Sequence, residues 1–421
     1  AMVAEILCVG TELLMGQVLN TNAQFLSRRL SALGISQYHQ MVVGDNAQRL
    51  EEAYRLALSR ADVVITSGGL GPTVDDITKR VAAKVAGKDL VLFPEAVDMV
   101  RTRFAQYHKD MTVNNMCQAM FTPDSTLLLN PNGTAPGAIV PMGEGKVVIH
   151  LPGPPVELEP MFIDQVEPYL QARSGQVLVS KYIRIFGMGE SEVDQRLHDL
   201  EQQENPTLSP YCSLGEVQLR ATARATDKAS AEALLLPLVN EVRSRLGEVV
   251  YDVLDTDEGS LAVSAVRVLK ARGWTVATAE SLTGGLISAT MVEVPGASEV
   301  VKGGFVTYQS VAKTMLLGVP AEMIDQYNVV SAEVARAMAQ GARERLGVDI
   351  AVSATGLAGP GGGTPERPVG TVFLGIATAQ GVYDIPLHLT GSRARIRTLT
   401  MKHALNAVRL EAEGKSISSK H

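Results

Sequence analysis

The sequence predicts an α/β protein with several domains, and three features support this. The chain has 421 residues, of which 46% are apolar, so roughly two to four domains can each bury a core. Only 5% of the residues are aromatic. Short runs of valine, isoleucine and leucine alternate with amphipathic segments, which is typical of parallel strands connected by helices.

Residues 3–170 show this alternation from the start. The predicted strands are 3–9, 61–66 and 146–151, and the predicted helices are 22–33, 48–60 and 77–86. Because helices separate the strands along the chain, we expect parallel βαβ units in one sheet.

Residues 177–252 follow a different pattern, in which polar and apolar residues alternate along the strands. The predicted strands are 177–186 and 216–223, the predicted helices are 191–200 and 229–246, and 204–211 is a turn-rich stretch. This part is therefore predicted to be a small α+β module, followed by a linker at 255–259.

Residues 260–411 predict a second α/β unit. Helices are expected at 260–272, 284–292, 332–346 and 393–413, strands at 274–280, 303–308 and 349–354, and a hairpin between 369–378 and 382–389. The chain is thus divided into three predicted domains, 1–172, 173–254 and 255–421.

Charge and cysteine content exclude several classes of protein. The net charge is −7 and no basic block is present, which argues against a nucleic-acid partner. The cysteines Cys8, Cys117 and Cys212 are far apart and lack metal-ligand spacing, as expected for small buried residues in a reducing cytosol. No apolar run approaches the ~20 residues that span a bilayer, and no signal-peptide pattern is seen. We therefore expect a cytoplasmic protein without a membrane partner.

Residues 278–285 (TAESLTGG) connect a predicted strand to a predicted helix, with Ser281 at the junction. The free backbone N–H groups of such a turn suit a developing oxyanion. Lys313 follows in residues 308–313 (YQSVAK), and serine with a lysine base is a known pair for acyl transfer. Two other interpretations are open: Ser281 as a helix cap, and Lys313 as a solvated surface residue.

Residues 64–76 (VITSGGLGPTVDD) predict a strand that enters a glycine loop and ends in two carboxylates. Glycines let backbone N–H groups approach a phosphate, and carboxylates beside phosphates commonly hold a hard cation such as Mg²⁺. Residues 10–12 and 43–46 also follow predicted strands, so these groups should meet at one sheet edge. The alternative is a tight turn followed by an acidic helix N-terminus.

The first part of the chain resembles the CinA family. The motifs that carry this resemblance are 10–17 (GTELLMGQ), 20–22 (NTN), 67–73 (SGGLGPT), 132–137 (NGTAPG) and 151–157 (LPGPPVE). The resemblance implies a three-layer, molybdopterin-binding-like domain, which in this family is associated with metal-dependent hydrolysis of ADP-ribose. Molybdopterin binding is the alternative for this fold. The implied site comprises a divalent metal (Mg, Mn or Co) near Asp45, Asp75 and Asp76, and a phosphate-binding set of Gly10, Thr11, Glu12, Gly68, Gly69 and Gly71.

The third part is similar to the nicotinamide mononucleotide (NMN) deamidase domain of the same family. The matching stretches are 278–285, 303–308 (GGFVTY), 316–319 (LLGV), 353–363 (SATGLAGPGGG) and 368–372 (PVGTV). The resemblance implies that Ser281 attacks the carboxamide and that Lys313 takes the proton of the Ser281 hydroxyl. Tyr308 would relay that proton or orient the lysine. No cofactor is implied. The implied substrate contacts are the oxyanion-hole residues Leu282, Thr283 and Gly284, and the ribose- and phosphate-binding residues Thr355, Gly356, Gly359, Gly361, Gly362, Arg393 and Arg397.

Three positions depart from the family pattern. Ser310 stands where relatives carry asparagine, Ser392 where they carry aspartate and Leu282 where they carry cysteine. The first change affects a position that the family pattern associates with a substrate hydrogen bond. Two alternatives to phosphate binding are open. Arg393 and Arg397 would lie on a solvated helix face, and residues 359–363 would form a flexible loop without a ligand.

The middle part resembles the KH-like connector of full-length CinA chains. Residues 187–190 (GMGE) lack the Gly-x-x-Gly spacing of a nucleic-acid-binding KH loop and are acidic. We interpret the module as a spacer and homodimer element. The expected function is pyridine-nucleotide salvage, acting on NMN and ADP-ribose. The alternatives are a non-catalytic molybdopterin- or nucleotide-binding scaffold linked to competence or DNA damage, and a serine amidase for another amide.

Overall fold

A computed structural model describes residues 2–415 and divides into two compact units. The first unit contains residues 2–179 and 223–233, and the second contains residues 180–222 and 234–415. Among the described residues, no helix is both long enough and apolar enough to cross a membrane.

The first α/β part is built on a six-stranded sheet. The strands of this part are β1 (Val3–Val9), β2 (Ser36–Val43), β3 (Val63–Ser67), β4 (Val91–Leu92), β5 (Met120–Phe121), β6 (Thr126–Leu128), β7 (Gly137–Gly143) and β8 (Lys146–Leu151). The helices are α1 (Thr11–Leu14), α2 (Thr21–Ala32), α3 (Ala47–Arg60), α4 (Thr78–Ala86), α5 (Pro94–Gln106), α6 (Pro155–Met161) and α7 (Glu167–Ser174). The six strands have the order β2-β1-β3-β8-β7-β6, while β4 and β5 form a separate pair.

Four neighbouring strands of this sheet, β2, β1, β3 and β8, are parallel. Their carboxyl ends therefore share one edge. Successive strand residues pack into two different apolar clusters, for example Ile6 and Ile65 in one and Leu7 and Val64 in the other. Burial of both faces explains why the predicted strands read as continuous apolar runs. The predicted strands and helices of this part are confirmed, with ends shifted by one or two residues.

The module in the middle of the chain has four strands in the order β10-β11-β9-β12. Its strands are β9 (Val177–Phe186), β10 (Thr207–Ser213), β11 (Glu216–Ala225) and β12 (Val250–Leu254), and its helices are α8 (Glu190–Glu201) and α9 (Lys228–Leu246). The turn-rich interpretation holds for residues 204–206 but is wrong from Thr207 onward, because those residues pair with β11 and Pro210 lies opposite Leu219. The edge position of β10 tolerates a proline, which has no N–H to donate.

The last part contains a five-stranded sheet in the order β14-β13-β15-β16-β17. Its strands are β13 (Val276–Glu280), β14 (Val301–Val306), β15 (Ile350–Gly356), β16 (Thr371–Thr378) and β17 (Gly381–His388). Its helices are α10 (Leu261–Arg272), α11 (Leu286–Val292), α12 (Ser310–Leu317), α13 (Ala321–Tyr327), α14 (Ala332–Leu346) and α15 (Arg393–Ala412). The predicted hairpin is confirmed by the antiparallel pairing of β16 with β17.

β13 is the central parallel strand of this sheet, flanked by β14 and β15. Helices α10 and α15 contribute to the apolar cluster that contains Val276, whereas α14 contributes to the cluster that contains Ala277. Both faces of β13 are therefore covered, and its carboxyl end opens at the sheet edge. Short helical segments complete the chain: 3₁₀ turns at Val113–Ala119, Gly247–Val249 and Ala297–Glu299, and a π turn at Phe162–Val166.

Candidate active sites

Ser281 directly follows β13 and begins a tight turn that leads to α11. Its N–H donates to the Ala354 carbonyl over 3.0 Å, and its carbonyl accepts from the Gly284 N–H over 3.0 Å. The cap of α11 is Gly285, whose φ of 100° is left-handed and which offers no side-chain cap. The interpretation of Ser281 as a helix cap is therefore wrong, and its hydroxyl is available for other work.

Glu280 holds the start of α11 and was given no role by the sequence analysis. Its fully buried carboxylate accepts hydrogen bonds from the Ile287 N–H at 2.8 Å, the Ser288 N–H at 3.1 Å and the Ser288 hydroxyl at 2.8 Å. A carboxylate suits the positive end of a helix, and these donors offset the cost of burying it. The sequence feature that could have indicated this role is a charged residue at the end of an otherwise apolar strand.

Lys313 lies on α12 with its side chain fully buried. Its Nζ is 2.9 Å from Ser281 Oγ, 2.7 Å from the Thr307 carbonyl oxygen and 3.4 Å from the Tyr308 carbonyl oxygen. Within the described chain, no carboxylate forms a salt bridge with it, and burial lowers the pKa of its amine to about 8. The interpretation of Lys313 as a solvated surface residue is therefore wrong.

The three oxygen neighbours of Lys313 can accept the three N–H groups of its protonated form, and they also suit the neutral form that a base requires. A neutral amine has two N–H groups and one lone pair. The Thr307 and Tyr308 carbonyls accept only, so they take the two N–H groups. The lone pair is then left for the Ser281 hydroxyl, which is the geometry of a base beside a nucleophile.

The turn after Ser281 offers two free backbone donors. The Gly284 N–H, one of the predicted oxyanion-hole donors, is already bonded to the Ser281 carbonyl. By contrast, the N–H groups of Leu282 and Thr283 have no acceptor among the described residues. Arg397 donates to the carbonyls of Leu282 at 2.9 Å and Thr283 at 3.0 Å, which fixes the peptide that carries the Thr283 N–H.

A cleft of about 640 Å³, here called the serine cleft, opens beside Ser281. Its volume is within the range of small-molecule sites. The predicted residues that line it are Ser281, Leu282, Tyr308, Thr355, Gly356, Gly359, Gly361 and Arg393. Thr283, Gly284, Gly362, Lys313 and Arg397 are not among its lining residues.

Arg393 connects two walls of the serine cleft. Its guanidinium donates to the Gly359 carbonyl at 2.7 Å and to the Tyr308 hydroxyl at 3.0 Å. Tyr308 therefore contacts Lys313 through its backbone carbonyl, while its hydroxyl faces the arginine. Arginine has five N–H donors, so this exposed side chain keeps several for a ligand.

The parallel strands of the first unit end at a second cleft of about 430 Å³, here called the glycine-loop cleft. Its predicted lining residues are Gly10, Glu12, Asp45, Gly68, Gly69, Gly71, Asp75 and Asp76. Thr11 is not among the lining residues and instead exchanges two hydrogen bonds with Asp45, over 3.3 and 3.1 Å.

The glycine loop leaves room for the carboxylate of Asp76. A Cβ at Gly71 would lie 2.5 Å from Asp76 Oδ2. That oxygen accepts from the Thr73 N–H at 2.9 Å and from its hydroxyl at 2.7 Å. Helix α4 starts later, at Thr78, and has no acidic residue in its first turn. The alternative of an acidic helix N-terminus is therefore wrong.

The carboxylates of the glycine-loop cleft suit a shared metal rather than a complete protein cage. Within the described residues, the ligand atoms of Asp45, Asp75 and Asp76 do not all lie within 4.8 Å of one another; the trio that does is Asp194, His198 and Glu201, outside this cleft. Magnesium is commonly held by one or two carboxylates together with substrate phosphates. The donor set fits that arrangement.

Two further groups at this cleft were missed by the sequence analysis. Gln118 is only 2% exposed, lines the cleft and donates through Nε2 to Thr134 Oγ1 at 3.2 Å. Lys79 fixes the 3₁₀ turn that carries it by donating to the carbonyls of Cys117 at 2.9 Å and Gln118 at 3.2 Å. Burial lowers the pKa of Lys79 to about 7. Gln118 lies on a short 3₁₀ turn and Lys79 on α4, and their contact joins segments that are distant in sequence, so no local pattern predicted either role.

Three family models match successive parts of the chain. They are described as a probable molybdopterin binding domain over residues 5–172, a damage-inducible protein CinA KH domain over residues 180–251 and a CinA C-terminal domain over residues 258–411.

Relatives match along almost the entire chain. A protein of Symbiobacterium thermophilum named as a competence-damage inducible protein is 48% identical over 421 residues, covering 97% of this chain and 98% of its own. A CinA-like protein of Dictyoglomus turgidum is 45% identical, covering 96% and 98% respectively. The crystal structure of a CinA protein from Thermoplasma acidophilum is 38% identical over 40% of this chain and 98% of its own, with a TM-score of 0.38. The chain therefore belongs to the CinA family of competence- and damage-inducible proteins, with a molybdopterin-binding-like domain, a CinA KH domain and a CinA C-terminal domain.

Proposed function

We propose that the serine cleft deamidates NMN, giving nicotinate mononucleotide and ammonia. The observation that carries this proposal is the 2.9 Å contact between Lys313 Nζ and Ser281 Oγ, in a buried setting without a carboxylate partner. Because burial brings the pKa of Lys313 to about 8, a substantial fraction of the amine is neutral near physiological pH.

The first half of the reaction forms an acyl-enzyme. Neutral Lys313 takes the hydroxyl proton as Ser281 Oγ attacks the carboxamide carbon. The negative charge on the carboxamide oxygen is stabilised by the N–H groups of Leu282 and Thr283, which have no other acceptor among the described residues. As the carbon–nitrogen bond breaks, Lys313 returns the proton to the departing nitrogen, and ammonia leaves.

The second half hydrolyses the acyl-enzyme. A water molecule attacks the ester carbon, and Lys313 takes its proton as before. When the ester bond breaks, the proton passes from Lys313 to Ser281 Oγ, which restores the free enzyme and releases nicotinate mononucleotide. The two half-reactions thus use the same base and the same oxyanion donors.

Recognition of the nucleotide phosphate is assigned to Arg393 and the 359–363 loop. Arg393 lines the cleft and is exposed, and arginine is well suited to phosphate oxygens. A Cβ at Gly361 would meet no atom within 4 Å, so the backbone there is open to a ligand. These features favour a phosphorylated amide over an amide without phosphate.

The test is ammonia release from NMN by the full chain. Ser281→Ala and Lys313→Ala should each abolish release, while Ser298→Ala, at an exposed serine outside the cleft, should leave it unchanged. Competition by inorganic phosphate would distinguish an NMN-type substrate from another amide. No ammonia from well-folded wild-type protein would refute the proposal.

We propose in addition that the glycine-loop cleft hydrolyses ADP-ribose with a divalent metal. The convergence of glycines and carboxylates from four parallel strand ends in one cleft supports it. The metal, when bound, neutralises diphosphate charge and activates a water molecule. One or two of Asp45, Asp75 and Asp76 would hold it together with the substrate diphosphate, and the backbone N–H groups of the glycine loop would face the phosphates.

Hydrolysis of ADP-ribose is tested by its dependence on metal. Turnover should require added Mg²⁺, Mn²⁺ or Co²⁺ and be lost in Asp76→Ala, while ammonia release from NMN continues in the same variant. Binding of ADP-ribose or a molybdopterin without turnover would favour a binding module and refute hydrolysis.

A further inference from the structure

The serine cleft is lined in part by an irregular segment, residues 327–330, which has no role in the mechanism proposed above. Val329 and Val330 line the cleft, and the segment connects the end of α13 to α14. Asn328 has a left-handed φ of 80°, which is uncommon for a residue with a side chain. Such a backbone conformation persists only where surrounding contacts hold it in place.

Each of the four backbone carbonyls of this segment accepts a hydrogen bond from a side chain. Three side chains supply the donors: Arg367 Nε bonds the Val330 carbonyl and its Nη2 the Tyr327 carbonyl, both at 2.9 Å, while the hydroxyls of Thr355 and Ser331 bond the carbonyls of Val329 and Asn328, both at 2.8 Å. Arg367 alone satisfies two of the four carbonyls and is therefore the main anchor of the segment.

Arg367 also closes one end of the loop to which phosphate recognition was assigned. The Thr364 N–H donates to the Arg367 carbonyl at 2.9 Å, and the Arg367 N–H donates to Thr364 Oγ1 at 3.0 Å. At the other end of the loop, the Gly359 carbonyl accepts from Arg393 at 2.7 Å. Residues 361–363 in between are exposed, and their N–H groups have no acceptor among the described residues. The loop is thus fastened at both ends and has free donors in its middle.

Arg367 supports the site without forming part of its surface. Its side chain is half-buried and does not line the serine cleft. Its Nε and Nη2 groups are both used by carbonyls of the 327–330 segment. Any effect of Arg367 on a ligand must therefore pass through the loop and the segment that it joins.

We propose that Arg367 is a positioning residue for the substrate phosphate. By joining the 364–367 turn to residues 327–330, it holds the N–H groups of residues 361–363 where a phosphate can accept from them, since successive backbone N–H groups form anion sites. Without these contacts, binding would have to order the loop, at a cost in affinity. This inference rests on the proposed deamidation of NMN and names a residue that sets the affinity for its phosphate.

The experiment compares NMN with nicotinamide riboside, which carries the same amide and ribose but no phosphate. Affinities are measured by calorimetry on the full chain with Ser281→Ala, so that the ligand is not consumed, and kcat and KM are measured with Ser281 in place. Arg367→Met removes both carbonyl contacts, and Arg367→Lys keeps the charge without the guanidinium fork. Arg345→Met is the matched control, because Arg345 is an exposed arginine of α14 that does not line the cleft.

Arg367→Met should weaken NMN binding about tenfold or more through lost preorganisation and raise KM by the same factor. Its kcat at saturating NMN should stay near the wild-type value, because Arg367 makes no contact with Ser281 or Lys313. Arg367→Lys should lie between the two, and Arg345→Met should match the wild type. The affinity for nicotinamide riboside should be the same in all four chains.

Equal affinities of the wild type and Arg367→Met for NMN would overturn the inference, even if ammonia release is observed. So would an equal loss of affinity for both ligands, or a lower kcat with KM unchanged, since either would indicate a merely structural role. If Arg367→Met does not fold, Arg367→Lys decides, and wild-type affinity for NMN in that variant would overturn the inference. Selective weakening of NMN without any ammonia release would support the positioning role while refuting the proposed deamidation.

Discussion

The most direct consequence of the serine cleft is a pH profile set by Lys313. The amine must be neutral to accept the Ser281 proton, and burial lowers its pKa to about 8 from an ordinary value of 10.5. With a pKa of about 8, the neutral fraction is about 0.1 at pH 7 and about 0.9 at pH 9. The value of kcat/KM for NMN should therefore rise about tenfold between these two pH values and level off above them.

The assay is steady-state ammonia release from NMN between pH 6 and pH 10, with folding checked at each pH. Lys313→Arg is the informative variant, because it keeps a long cationic side chain that does not lose its proton in this range. It should be nearly inactive at every pH. Lys313→Ala should be inactive too. Because Lys313→Arg keeps a long cationic side chain, its loss of activity relative to the wild type reports the need for a neutral amine rather than for side-chain volume.

Two results would refute this reasoning. A flat profile with wild-type activity would mean that no group near pKa 8 gates the reaction. If Lys313→Arg kept activity and its kcat/KM rose with pH as in the wild type, the titrating base would be another residue. Either result would leave the 2.9 Å contact as a structural bond without a catalytic role.

Three further perturbations follow from single contacts. Burial lowers the pKa of Lys313 in the folded chain to about 8, so the unfolded chain binds more protons between about pH 8 and 10.5. The free energy of unfolding of the wild type should therefore rise with pH across that window in denaturant titrations, and Lys313→Met should lack this rise. Glu280→Gln should cost about 1–3 kcal/mol in the same titrations by leaving a helix N–H unpaired, whereas Glu299→Gln at an exposed pair should cost little; equal costs would contradict the role of Glu280. Gly71→Ala should lower ADP-ribose turnover about tenfold or more by displacing Asp76, while Gly189→Ala, where a Cβ meets nothing, should not; unchanged turnover in Gly71→Ala would show that the Asp76 position is unimportant.

The sequence predicted the elements whose signal is local and periodic. β1, β3 and β8 are apolar runs because both faces of the sheet are covered, and the β16–β17 hairpin has a short glycine-containing turn between its two strands. The family was also predictable, because several motifs occur in a fixed order. By contrast, β10 was missed since Pro210 and its neighbours have turn composition, and only pairing with β11 makes them a strand.

At the sites, the sequence predicted residue identity better than residue contacts. Ser281 and Lys313 were named from their motifs, but the burial of Lys313 depends on α12, which the sequence analysis did not place. The bonding of the Gly284 N–H within the turn is a matter of backbone conformation, which composition does not reveal. Gln118 was missed because its hydrogen bond with Thr134 joins residues that only the fold brings together.

Arg393 and Arg397 give a final test, because they sit one helical turn apart on α15 and perform different tasks. Arg393 lines the serine cleft, is exposed and keeps free donors, so Arg393→Met should mainly raise KM for NMN. Arg397 does not line the cleft and instead holds the carbonyls of Leu282 and Thr283, so Arg397→Met should mainly lower kcat by releasing the peptide of the Thr283 N–H.

The measurement is a full kinetic comparison of both variants with NMN and with an amide that lacks the phosphate. Loss of phosphate from the substrate should remove most of the penalty of Arg393→Met and none of the penalty of Arg397→Met. Both variants would otherwise be expected to behave alike, as two arginines on one solvated helix face or as a joint phosphate clamp. A KM effect of equal size in both variants, with kcat unchanged, would favour the clamp and contradict the separation of roles.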